Sequence, residues 1–114
     1  MSRVTEVLVS LGIPFKEDGY EPKKPPSGPA YAVVTEVDQD DGPDGCVGFR
    51  RVSALVELYD AGTPKGREAR QALHEALSDA NLKHVKERTI YFKDEKVFET
   101  DYDIDTYIEK RSIR

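Results

Sequence analysis

The feature that most constrains the fold is one amphipathic helix placed between two pairs of alternating segments. Thr63-Pro64 is typical of an N-cap followed by proline at the first helical position. Apolar residues then recur at helical spacing on one face: Ala69, Ala72, Leu73, Ala76, Leu77 and Ala80. A helix with a single apolar stripe must bury it against another layer, so the pattern predicts a sheet covered by helices.

Alternation of apolar and polar residues predicts a first hairpin. Residues Tyr31 to Val37 alternate, and so does the segment that carries Val52, Ala54, Val56 and Leu58. Between them lies a turn-rich acidic loop, Asp38 to Gly45. Two alternating segments joined by such a loop are typical of an antiparallel pair.

A second hairpin is predicted after the helix. The segments from His84 to Tyr91 and from Glu95 to Ile104 flank a Lys93-Asp94 turn. A short N-terminal helix precedes both hairpins, because Val4, Val7, Leu8 and Leu11 share one helical face and Gly12 can end it. The expected fold class is therefore α+β, with two helices packed against a mostly antiparallel sheet of four strands in two hairpins.

The remaining segments are expected to be irregular. Residues 16–30 are rich in proline and glycine and predict an exposed loop, while residues 105–114 form either a last helical turn or an extended tail. The 114 residues make a single domain. No apolar run is long enough to span a membrane, and no signal-peptide pattern is present, so synthesis in the cytoplasm is expected. A net charge of −5 disfavours a general nucleic-acid binder.

The sequence offers little catalytic chemistry. Glu99, Asp101 and Asp103 share one strand face and are close enough for a metal site or acid–base work, but such sites need ligands from several elements. A solvated or interface-facing strand edge is the favoured interpretation. His74, His84 and the single Cys46 lack the partners that a nucleophile or a metal site requires, so both histidines are expected on the surface. No catalytic, cofactor-binding or metal-binding residue is predicted, and no enzymatic activity.

Four short motifs follow one another in a recognisable order. They are Leu11-Gly12-Ile13-Pro14-Phe15, the Pro22 to Pro29 lead into Tyr31-Ala32-Val33-Val34, Val56-Glu57-Leu58-Tyr59 before the helix, and Tyr91 to Phe98 followed by Tyr102. Together they resemble the small tail-completion proteins of long-tailed bacteriophages and prophages, a group of tail terminators and head-to-tail joining proteins. The resemblance runs from about Leu8 to Asp103. The chain departs from it in its more acidic hairpin and in Thr35 or Val34 at a position where relatives often carry tyrosine.

The resemblance implies a structural virion protein of the tail or neck. Its implied partners are further copies in a ring of six subunits, the tail-tube protein and the head connector, with DNA passing through without specific binding. A tail terminator stops polymerisation of the tube and provides the head-attachment surface. A head-to-tail joining or neck protein is the alternative within this class. A small cytoplasmic adaptor and a ligand-binding or enzyme domain are the alternatives outside it.

Two sets of residues acquire roles within such a ring. Phe49, Arg50 and Arg51 are of types enriched at protein interfaces, and the two arginines are predicted to face Glu99 and Asp101 of the next copy. A strand end with solvated arginines is the alternative. Carboxylates lining a channel would repel DNA phosphates, and four residues of the acidic loop are predicted to do so: Asp38, Asp40, Asp41 and Asp44. Their alternative is an outward-facing solvated hairpin.

Overall fold

The computed structural model describes residues 2–17, 28–38 and 49–110. Its elements are two helices and six strands: α1 (Arg3–Ser10), β1 (Phe15–Glu17), β2 (Ala30–Asp38), β3 (Phe49–Asp60), α2 (Pro64–Asp79), β4 (His84–Lys86), β5 (Ile90–Phe92) and β6 (Val97–Lys110). The strands form one sheet in the order β1-β2-β3-β6-β4, and β5 also pairs with β6. The long pair β3 and β6 is the centre of the sheet.

The α+β class is as expected, but the prediction of a mostly antiparallel four-stranded sheet is wrong. The sheet has six strands and is mixed, because β1 lies parallel to β2 with Phe15 opposite Ala32. The segment expected to form one strand from His84 to Tyr91 is divided into β4 and β5, which pair with separate stretches of β6. The region from Asp105 to Lys110, expected as a helical turn or a tail, continues β6 as a strand.

Helices cover one side of the sheet because every second strand residue is apolar on that side. The buried strand residues there include Ala32, Val34, Val56, Leu58, Tyr102 and Ile104. They form a single core with Val4 and Leu8 of α1 and with Leu73 and Leu77 of α2. The apolar stripes predicted for the two helices are thus confirmed at their central positions. Each buried leucine contributes roughly 1.5–3 kcal/mol to stability.

Helix α2 begins as the sequence predicts and is tied to the end of β3 by a buried ion pair. The Thr63 hydroxyl accepts a hydrogen bond from the Gly66 amide, and Pro64 follows it. Asp60 is 2% exposed, and its two carboxylate oxygens accept hydrogen bonds of 2.7 and 2.8 Å from Arg70. This bidentate pair fixes the position of the helix over the sheet.

Gly62 occupies the tight connection between β3 and α2, and its replacement by alanine is expected to destabilise the protein by about 1–3 kcal/mol. Its φ is +79°, and an added Cβ would lie 2.5 Å from the Phe98 ring. Gly12, with φ +69° and no atom within 4 Å of an added Cβ, is the matched control. Gly12→Ala introduces the backbone strain alone. The loss in free energy of unfolding, measured with urea, should therefore be smaller for Gly12→Ala than for Gly62→Ala. Equal losses would mean that the contact with Phe98 has no energetic effect.

Among the residues that the structure describes, neither helix has the length and apolar character needed to cross a membrane.

Candidate interaction surface

The side of the sheet away from the helices is covered by no element that the structure describes, and we call it the open face. It carries the strand residues that alternate with the buried ones: Tyr31, Val33, Thr35, Val37, Arg51, Leu55, Glu57, Tyr59, Glu99, Asp101 and Asp103. The surface combines aromatic and aliphatic side chains with a concentration of carboxylates. Aromatic side chains such as those of Tyr31 and Tyr59 are enriched at surfaces that contact another protein.

Three carboxylates meet on the open face, and we call them the carboxylate trio: Glu57 of β3 with Glu99 and Asp101 of β6. Glu57 lies directly opposite Asp101 in the antiparallel register, and Glu99 lies opposite the neighbouring Tyr59. One carboxylate oxygen from each member of the trio can be chosen so that all three lie within 4.8 Å of one another. Two central strands therefore concentrate negative charge at one place.

This concentration of charge changes the ionisation of its members. Partial burial, together with the neighbouring carboxylates of Asp101 and Glu57, raises the pKa of Glu99 to about 8. Burial also raises the pKa of the Tyr59 hydroxyl, with additional effects of Glu57 and Glu99. Glu99 therefore holds its proton through much of the neutral range, which lowers the repulsion within the trio.

Two members of the trio, Glu99 and Asp101, line a groove of about 430 Å³. Its lining combines both charge signs with aliphatic groups: Leu55, Glu87, Arg88, Ile90, Glu99, Asp101 and Asp103. The Oδ1 atom of Asp101 is buried, and no hydrogen-bond donor among the described residues reaches it. A buried acceptor without a donor is unfavourable, so the groove suits an occupant that donates hydrogen bonds.

The structure brings together two of the acidic residues that the sequence singled out and adds one that it did not. Glu99 and Asp101 are in the trio, whereas Asp103 lines the groove. Glu57 was missed because its proximity depends on the register of β3 against β6, which a single sequence does not specify. The trio could hold a cation through three oxygen ligands.

The basic part of the predicted interface lies at the other end of the open face. Arg51 is exposed and is opposite Ile108, which is 62% exposed. Phe49 and Arg50 belong to β3, but their side chains lie outside what the structure describes. The predicted pairing of Arg50 and Arg51 with Glu99 and Asp101 of another copy stays a prediction.

The predicted channel lining falls mainly outside the described residues. Asp38 ends β2 and is exposed, while Asp40, Asp41 and Asp44 lie beyond the described residues, as does Cys46. The role of these aspartates stays a prediction.

The two histidines are not the independent surface residues that the sequence predicts. Both are half-buried, and His74 Nδ1 lies 2.8 Å from His84 Nε2. His84 Nδ1 lies 2.8 Å from the Leu82 carbonyl oxygen, so His84 donates there and accepts from His74 when both rings are neutral. The pair links α2 to β4. The ten-residue separation of His74 and His84 in the sequence did not predict this contact, because the contact depends on the turn after α2.

Comparisons of this chain with protein-family models, with curated proteins and with solved structures gave no match.

Proposed function

We propose that this protein is a structural component of a long-tailed bacteriophage or prophage, a tail terminator that forms a ring on the end of the tail tube. In this function it stops polymerisation of the tube and presents a surface to the head connector. It acts by surface complementarity, without substrate turnover. Virion localisation, the tube and connector partners and the ring of six copies are parts of the same proposal.

The observation that carries the proposal is the one-sided sheet. Helices bury one face in a single core, whereas the open face combines Tyr31, Leu55 and Tyr59 with the carboxylate trio. Tyr31 and Tyr59 are stacked with their ring centroids 5.1 Å apart, so the apolar part of this surface is already ordered. Ordered aromatic groups bury area on binding at a small cost in side-chain entropy.

The order of the motifs along the chain gives the proposal its specific content. The Leu11-to-Phe15 motif runs from α1 into β1, Tyr31 lies in β2, Glu57 lies in β3 ahead of α2, and Tyr102 lies in β6. Motifs placed on successive elements of one small domain are what the resemblance to tail-completion proteins implies. A head-to-tail joining protein remains the second candidate, because it shares this size and this order of motifs.

The experiment is polymerisation of a candidate tail-tube protein, with and without the purified chain, followed by electron microscopy. A terminator is expected to give shorter tubes with added density at one end. A joining protein is expected to leave tube length unchanged and to bind only tubes that are already terminated. Full-length, undecorated tubes at saturating protein would contradict the terminator proposal, and a failure to bind terminated tubes as well would contradict the joining alternative.

A further inference from the structure

No cation among the described residues forms a salt bridge with the carboxylate trio. One oxygen from each member lies within 4.8 Å of the other two, and the buried Asp101 Oδ1 atom has no hydrogen-bond partner among the described residues. Burial, a hydrogen bond with the Asp101 side chain and repulsion by Asp101 and Glu57 raise the pKa of Glu99 to about 8. Arg88 lines the same groove, but no salt bridge of Arg88 with the trio occurs among the described residues. A guanidinium group from outside would supply both the positive charge and several hydrogen-bond donors.

The other end of the open face offers such a group. Arg51 is exposed and forms no ion pair with the side chains that the structure describes. Ile108 lies opposite it on β6, and Val37 of β2, which is 50% exposed, lies opposite Ser53, two residues further along β3. We call these three residues the arginine end. A cation flanked by aliphatic groups complements a groove that combines carboxylates with Leu55 and Ile90.

The two ends are separated along one strand. Arg51 precedes Glu57 by six residues, which at about 3.3 Å per residue is roughly 20 Å along β3. No side chain spans that distance, so Arg51 cannot neutralise the trio of its own chain. We propose that a second copy of this chain covers the open face, with each Arg51 inserted into the carboxylate trio of the other copy.

Symmetry determines the form of this contact. Both ends lie on the same face, so the open faces of the two copies must oppose each other. A two-fold axis passing near Leu55 and Ser53 then forms both contacts at once. Neighbouring subunits of a six-membered ring are related by a rotation of one sixth of a turn. Their open faces therefore point in similar directions and cannot oppose each other. The contact is therefore that of a closed dimer of the free protein.

The dimer itself does not depend on the proposed function. Only its consequence for ring assembly rests on that function. A dimer closed on its open faces hides the surface that the proposal assigns to assembly, so it has to dissociate before a ring forms on the tube. The dimer itself is tested with the purified chain alone. If the purified chain does not dimerise, the tube experiment can still succeed. If the tube experiment fails, the chain can still dimerise.

The experiment is a double-mutant cycle on dimerisation measured by sedimentation equilibrium, with Arg51→Ala, Glu57→Gln and their combination. The mass of the unmodified chain should rise with concentration from 12.8 kDa toward about twice that value. Each single substitution should weaken dimerisation about tenfold. If Arg51 of one copy contacts Glu57 of the other, the double variant should dimerise almost as strongly as either single variant. Arg51 is exposed, so its truncation should not affect folding.

The matched control is Lys65→Ala, which removes an exposed cation from α2 on the opposite side of the sheet and should leave dimerisation unchanged. A chain that stays monomeric at all concentrations would overturn the inference. An Arg51→Ala variant that dimerises normally would do the same. A dimer that requires added Ca²⁺ and ignores Arg51 would also overturn it, since the trio would then be a metal site.

Discussion

Replacing Arg70 with methionine is expected to lower the free energy of unfolding by about 3–5 kcal/mol. The substitution keeps an aliphatic stem but leaves the Asp60 carboxylate buried without its guanidinium partner. Asp60 is 2% exposed, and its other hydrogen bond comes from the Gly62 amide at 2.7 Å. The guanidinium also lies over the Phe98 ring, 5.0 Å from its centroid. The pair thus holds α2, β3 and β6 together at one end of the core.

Urea unfolding of the single and double variants measures this effect. Arg67→Met is the matched control, since Arg67 lies one turn earlier on α2 and, among the described residues, its side chain bonds only the Gly62 carbonyl, at an exposed position. The control should change stability by less than about 1 kcal/mol. Adding Asp60→Asn to Arg70→Met should recover part of the loss by removing the unpaired charge. A loss no larger than that of Arg67→Met would show that the buried pair does not anchor the helix.

Replacing Glu99 with glutamine is expected to make the protein more stable at alkaline pH and to reduce the pH dependence of its stability. The pKa of Glu99 is raised from an ordinary 4.5 to about 8 in the folded chain. Between these values the folded state binds more protons than the unfolded state, so the stability of the unmodified chain falls as pH rises. The loss of stability levels off once the pH has passed the raised pKa of Glu99, where Glu99 is ionised in the folded chain too. Glutamine keeps the shape of the protonated side chain without the charge.

The measurement is the urea midpoint from about pH 5 to about pH 9, a range that spans the raised pKa of Glu99. It is made in the Arg51→Ala background so that dimerisation does not contribute. The difference between the Glu99→Gln variant and its parent should grow as pH rises toward the pKa and then level off. Glu95→Gln, at an exposed position in the turn before β6, should give a small and constant difference. A pH-independent effect of Glu99→Gln would mean that Glu99 ionises normally in the folded chain.

Local signals in the sequence predicted the helices and the long strands. The Thr63 cap, the Leu73 and Leu77 stripe and the left-handed Gly12 depend on neighbouring residues alone, and the structure confirms all three. The three-residue strands β1, β4 and β5 are too short to show alternation. They exist because long neighbours offer unpaired backbone groups, as when β1 pairs with β2. This is why the sheet was expected to be smaller and more uniform than it is.

The candidate surface was predicted only in part for a similar reason. Alternation on β6 grouped Glu99 with Asp101, since residues two apart on a strand share a face. Glu57 joins them through the register of β3 against β6, and that register depends on tertiary packing. The separation of Arg51 from the trio along one face also follows from the fold. The sequence identified Glu99, Asp101 and Arg51 as candidate surface residues. Their positions relative to one another could be described only from the structure.

Under the proposed function, this chain assembles with a tail tube through its open face. The most direct test is the mass of the complex that the chain forms with short tail-tube segments, measured by light scattering across a wide concentration range. We expect a dimer in the absence of tube protein and one ring of six copies per capped tube end in its presence. A mass that does not change when tube protein is added would contradict it.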